Sequence, residues 1–130
     1  MKETFSKEER LCHKKLIQQL FTSGLSVVSL PMKARWLHST LPTTLPVQVM
    51  IAVPKSTFHN ASDRNLIRRR IRESYRKNRS ELFESLMNSG KQMAIVLIYT
   101  GKKILPYSDI EEKIILLLQR LKNENEKASG

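Results

Sequence analysis

The chain has 130 residues, with 23 Lys plus Arg against 12 Asp plus Glu, for a formal net charge of +11. Forty per cent apolar residues supply a modest core for one compact domain over residues 1–130, and the basic excess favours a polyanionic partner. Cys12 is the only cysteine, so an intrachain disulfide and a cysteine-based metal site are excluded.

The N-terminal stretch "MKETFSKEER" is too polar for a signal peptide, and the apolar runs "MAIVLIY" and "IILLL" are too short to span a bilayer. A reducing cytoplasm and no membrane partner are the expectation. Residues 6 to 23 read as a helix, with a capping box from Ser6 to Glu9, Leu16, Ile17, Leu20 and Phe21 at helical spacing, and Gly24 as the stop. Three β-leaning pieces follow, "LSVVSL", "KARWLHS" and "PVQVMIAV", punctuated by Pro31, Pro42 and Pro46. Asn60 or Ser62 can cap a helix over Ala61 to Met87, with a break near Ser85–Gly90. "QMAIVLIYT" reads as a buried strand. A last helix over 108 to 127 opens with a second capping box, Ser108 to Glu111, and residues 122–130 form a frayed tail. The strand–helix–strand succession points to parallel neighbours, the earlier strands to antiparallel pairing. Helices against a small sheet make an α+β fold.

Residues 64 to 79, "RNLIRRRIRESYRKNR", hold eight basic side chains and one acidic residue, Glu73. On a helical wheel Ile67, Ile71 and Tyr75 form a narrow apolar stripe. Asn65, Arg68, Arg69, Arg72 and Arg76 lie on an adjoining face, with Arg64 at the border. A solvated helix face would mix Glu with Lys at i,i+4, whereas here the repulsion is largely uncompensated. Guanidinium groups bond phosphate bidentately and stack on bases, and Asn65 can meet a ribose hydroxyl or a base edge. An exposed basic face without a ligand is the bland alternative. A membrane-surface helix would need a bulkier apolar face than two isoleucines and a tyrosine.

The segment "VPKSTFHNASDRNLIRRRIRESYR", residues 53 to 76, resembles the signature of the protein subunit of bacterial ribonuclease P. The matching positions are Arg64, Asn65, Ile67, Arg68, Arg69, Ile71, Arg72, Glu73 and Arg76. Leu66 stands where that signature usually has Arg. "LIQQLFTSG" is similar to the family's first helix, and "MAIVLIY" with the final helix to its last strand and helix. The resemblance implies a four-stranded sheet with three helices, a fold also found in a ribosomal protein domain, with a left-handed strand–helix–strand crossover. It implies an endonuclease that removes the 5′ leader of precursor tRNA, in which the RNA subunit with bound magnesium does the chemistry. The protein would bind that RNA subunit through the arginine-rich helix and hold the leader in a cleft between the first helix and the sheet. Ile17 and Phe21 match cleft-lining positions, Trp36 is a weaker candidate for stacking on a leader base, and Lys55 for a phosphate. Ile17, Phe21 and Trp36 also read as ordinary core residues, and Lys55 as a solvated lysine.

His13, His38 and His59 have no spacing suited to a metal site or a general base, and four glycines include no phosphate loop. No catalytic residue, protein-bound cofactor or metal, and no obligate protein partner, is therefore expected in this chain. A structural or ribosome-associated RNA-binding protein is the alternative, and a duplex-DNA module is a third.

Overall fold

The structure, a computed structural model, describes residues 7–129. A hairpin pairs β1 (Leu25–Ser29) antiparallel with β2 (Met32–His38), from Leu25↔Trp36 to Ser29↔Met32. β4 (Met93–Tyr99) inserts beside β2, also antiparallel, and β3 (Val47–Ala52) lies parallel to it, giving the order β1-β2-β4-β3. The expected antiparallel start and parallel crossover are both present. β4 is an almost unbroken apolar run because helices cover both of its faces.

Four helices complete the chain: α1 (Lys14–Ser23), α2 (Ala61–Asn78), α3 (Ser80–Ser89) and α4 (Tyr107–Ser129). Strand alternation sorts the side chains between two cores. Trp36, Val49, Ile95 and Leu97 meet Ile67, Ile71 and Tyr75 of α2 and Ile110, Ile114 and Leu121 of α4. On the other face Leu16 and Leu20 of α1 pack with Leu11, Leu41 and Ala94.

Several local expectations are corrected. The helix over 61–87 breaks at Arg79, whose side chain turns into the interior, so four α-helices stand where the resemblance implies three. α3 ends at Gly90, left-handed at φ 67°, a conformation glycine adopts without a Cβ clash. The helix over 6–23 starts only at Lys14, because Arg10 bridges Val49 in parallel and the Leu11 amide donates to Val49 O at 3.0 Å. The open hydrogen bonds of edge strand β3 outweigh local helix propensity there. Ser6 lies outside the described residues, and the α1 cap is instead His13, whose Nδ1 accepts from the Leu16 amide at 3.2 Å. Gly24 does end α1; a Cβ there would sit 2.4 Å from Leu20 O. Asn60 precedes α2 as expected but its side chain makes no capping bond. Glu111 accepts from the Tyr107 hydroxyl and Asn78 Nδ2, both at 3.1 Å, in place of a box with Ser108. Residues 122–129 stay helical: the fully buried Asn125 accepts from His38 Nε2 at 2.8 Å and donates to Ser85 Oγ at 3.0 Å.

Candidate nucleic-acid interface

α2 is held to the core by the stripe that its periodicity predicts, Ile67, Ile71 and Tyr75, all fully buried. Its other face presents Asn65 and Arg69 in the open and Arg68, Arg72 and Arg76 half-buried. Ser62, Asn65, Leu66, Arg68, Arg69 and Arg72 line a shallow groove along this face. Arg68 Nη1 donates to Asn65 Oδ1 at 3.3 Å, which orders both side chains at the groove edge. Arg76 Nη2 bonds Glu73 Oε2 at 2.8 Å, and that hydrogen bond holds the Glu73 carboxyl below its ordinary range despite partial desolvation. Leu66 leaves an apolar spot in a groove otherwise made of polar and charged groups.

Not every arginine in the segment faces outward for a ligand. Arg64 Nη1 donates to Phe58 O at 2.7 Å and His59 O at 3.0 Å, stapling the β3–α2 turn to the helix. Arg70, which lies off the expected comb, donates to Leu105 O at 2.5 Å and ties α2 to the loop before α4. Sequence order therefore overstates the number of guanidiniums turned outward, because backbone carbonyls of neighbouring loops hold Arg64 and Arg70.

The candidates outside α2 divide. Ile17 is half-buried against the second core, and Phe21, one turn on, is 46% exposed. They border the part of the sheet face that α1 leaves uncovered, where Val28, Lys33, Met50 and Ile98 share the side of Leu37 and Ala94. Lys55 is exposed three residues beyond β3, at the opposite end of the strand from the Gln48–Ala94 pairing. Trp36 is a correction. It lies on the opposite face, 4% exposed in the main core with its ring edge-on to His38, and cannot stack on an external base. Alternation sends Leu37, not Trp36, toward α1.

Two buried charges escaped sequence reasoning. Glu9 and Arg79, with side chains 2% and 6% exposed, pair at 2.6 Å. The Arg79 guanidinium also lies 5.0 Å from the Phe83 ring centroid and 5.9 Å from that of Tyr75, whose phenol burial pushes well above its ordinary pKa. This pair and the bond from Gln48 Nε2 to Glu8 O at 2.9 Å anchor residues 8–12 along β3. A cleft of about 210 Å³ opens between that segment, β3 and α2, bordered by Arg10, Cys12, Met50, Ile51, Arg68 and Arg72. The spacing of Arg68, Arg72 and Arg79 along one side of α2 was readable; nothing in the sequence marked Glu9 or Arg10 as their neighbours.

Among the described residues no group of three or more His, Cys, Asp or Glu side chains converges, and no helix is long and apolar enough to cross a membrane. The fold and surface define a small, basic α+β protein with an arginine-faced helix packed on a four-stranded sheet. The ribonuclease P family model matches residues 5–122, and the chain belongs to that family, the protein components of a tRNA-processing ribonuclease. It is 27% identical over 122 residues to the ribonuclease P protein component of Petrotoga mobilis, covering 92% of this chain and 96% of the relative. In fold it is similar to the RNase P protein of Staphylococcus aureus, with TM-score 0.69 and 21% identity over 90% of this chain and 100% of the other. The RNase P protein from Thermotoga maritima gives TM-score 0.65 and 22% identity over 86% and 96%.

Proposed function

We propose that this chain binds the catalytic RNA of ribonuclease P and the 5′ leader of precursor tRNA, supporting leader removal in the cytoplasm. The observation that carries the reading is the division of α2 into a fully buried stripe and an arginine face whose outer groove is lined, among the described residues, by no carboxylate. Asn65, Arg68, Arg69, Arg72 and Arg76 meet RNA phosphates and sugars, and Arg64 contributes mainly by holding the turn from which they project. Each phosphate contact releases condensed counterions, so affinity comes with steep salt dependence. The uncovered sheet face beside Ile17 and Phe21 takes the leader, with Phe21 as its exposed ring for a base. Lys55 adds a cation at the far end of the sheet.

Chemistry in this reading belongs to the RNA. Magnesium held through the RNA subunit would supply charge stabilisation and an activated water, and the protein binds, orients and screens charge.

The test is cleavage of a precursor tRNA by the RNA subunit of the same organism at low magnesium, with and without this chain. Strong stimulation at the mature 5′ end is expected. No stimulation with both components folded would overturn the reading.

A further inference from the structure

We propose that Arg35 is a positioning residue that locks the angle between α1 and the sheet, and so fixes where Ile17 and Phe21 stand beside the uncovered sheet face. The inference rests on the leader-binding reading above and adds to it a residue that acts through α1 rather than on RNA.

The junction between α1 and β1 is one residue long. The helix ends at Ser23, the strand begins at Leu25, and Gly24 between them is extended at φ −68° and ψ 151°. A Cβ on Gly24 would collide with Leu20 O, so the chain leaves the helix as tightly as glycine permits. Such a junction leaves two soft dihedrals about which α1 can swing.

Arg35 reaches across the junction from β2. It stands opposite Ser26 of β1, half-buried on the sheet face that Leu37 turns toward α1. Its Nε donates to Leu20 O at 2.8 Å, Nη2 to Gly24 O at 3.1 Å and Nη1 to Ser26 Oγ at 3.4 Å. One guanidinium thereby bonds the last turn of the helix, the junction itself and the strand beyond it. Because that group is planar and its donors are rigidly forked, the three acceptors cannot shift independently. α1 carries no basic residue in its last turn, so Arg35 also supplies the cation that a helix C-terminus favours.

Leu16 and Leu20 bury the underside of α1, but apolar contact is non-directional and tolerates rotation. Side-chain tips lie about 5–6 Å from a helix axis, so a turn of about 20° moves the Phe21 ring by about 2 Å. A gap of about 0.5–1 Å already forfeits roughly a quarter to a half of a van der Waals contact, so a base stacked on Phe21 depends on that angle.

The experiment compares wild type, Arg35→Met, Arg35→Lys, Phe21→Ala and the Arg35→Met, Phe21→Ala double variant, each full chain assembled with the RNA subunit of the same organism. Affinity is measured against salt for precursor tRNA with a single-stranded leader and for mature tRNA, and amide exchange is followed over residues 18–23. Arg35→Met keeps an apolar stem and removes all three donors. It is expected to raise exchange over 18–23, to bind the RNA subunit and mature tRNA as wild type does, and to lose at least about fivefold on the leader-bearing tRNA, the lower end of what one base–aromatic stack contributes. Arg35→Lys, which keeps a cation and reaches one carbonyl, should restore part of both properties. The double variant should bind under about twofold more weakly than Phe21→Ala, since Arg35 acts through that ring. Its salt slope should match wild type; a slope lower by about 0.7–0.9 in Arg35→Met would make Arg35 a phosphate ligand and overturn the positioning role. Wild-type leader affinity in Arg35→Met while Phe21→Ala is impaired overturns the inference and leaves the leader reading standing. Wild-type leader affinity in both single variants overturns the leader reading and the inference with it.

Discussion

Glu9→Ala removes one partner of the buried ion pair and leaves the Arg79 guanidinium in a site where its side chain is only 6% exposed. Rings of Phe83 and Tyr75 flank that cation but do not replace the lost carboxylate. Breaking a buried pair from one side costs about 3–5 kcal/mol, mostly as the penalty of an uncompensated charge. Domains of this size have a total stability of roughly 6–20 kcal/mol, so the variant stays folded at low temperature with a large part of its margin gone. With an m-value near 1.5–2 kcal/mol/M, the urea midpoint should fall by about 1.5–3 M. Replacing both residues, Glu9→Ala with Arg79→Met, removes the buried guanidinium as well and should recover most of the loss, so that the double mutant costs far less than the sum of the two single changes. Urea unfolding followed by circular dichroism measures all four proteins. A cost below about 1 kcal/mol for Glu9→Ala, or an additive cycle, would refute the view that this pair fastens the N-terminal segment to the α2–α3 corner.

Arg69→Ala, at an exposed position on the outer groove, should lower the salt slope of RNA binding by about 0.7–0.9 and leave the unfolding midpoint unchanged; an unaltered slope would show that this side chain meets no phosphate. Trp36→Phe should destabilise by about 1–2 kcal/mol, because core area is lost while an indole N–H without a hydrogen-bond partner among the described residues also disappears. Affinity for the tRNA leader should not change in that variant, and a selective loss of leader binding at normal stability would restore Trp36 as a stacking residue. Desolvation, with the neighbouring Glu111 carboxylate, lifts the Tyr107 phenol from 10.0 to about 12. The folded state therefore holds that proton more tightly than the unfolded chain, so its stabilisation is complete below about pH 10 and is lost as pH rises toward about 12. Tyr107→Phe should flatten that alkaline decline, measured as urea midpoint against pH, and an equally steep decline would count against the assignment. Asn125→Ala should cost about 1–3 kcal/mol by stranding the His38 ring nitrogen and removing the donor to Ser85 Oγ, and should raise amide exchange over residues 122–129. Unchanged protection there would show that the α4 end is held by its apolar contacts alone.

Local periodicity determined much of this protein. The three β-leaning pieces became β1 to β3, the run "QMAIVLIYT" became the central strand, and Ile67, Ile71 and Tyr75 became the buried stripe of α2. The row of arginines on the adjoining face was equally legible, since a helix of known phase assigns each side chain a direction without reference to the rest of the chain. Tertiary structure decided what depends on residues far apart in sequence. A period of two divides Trp36 from Leu37 but cannot say which of them meets α1. The capping signal at Ser108 competes with a partner that local sequence does not contain, and Glu111 accepts from Asn78, just as Glu9 pairs with the distant Arg79. Arg64 and Arg70 looked like the other arginines until loop carbonyls were brought within reach. The N-terminal segment left its helix to satisfy the edge of β3, and only that placement brought Arg10 beside the arginine helix. Propensity and pattern act over a few residues, whereas an edge strand's open hydrogen bonds and a buried charge's need for a partner act across the whole fold.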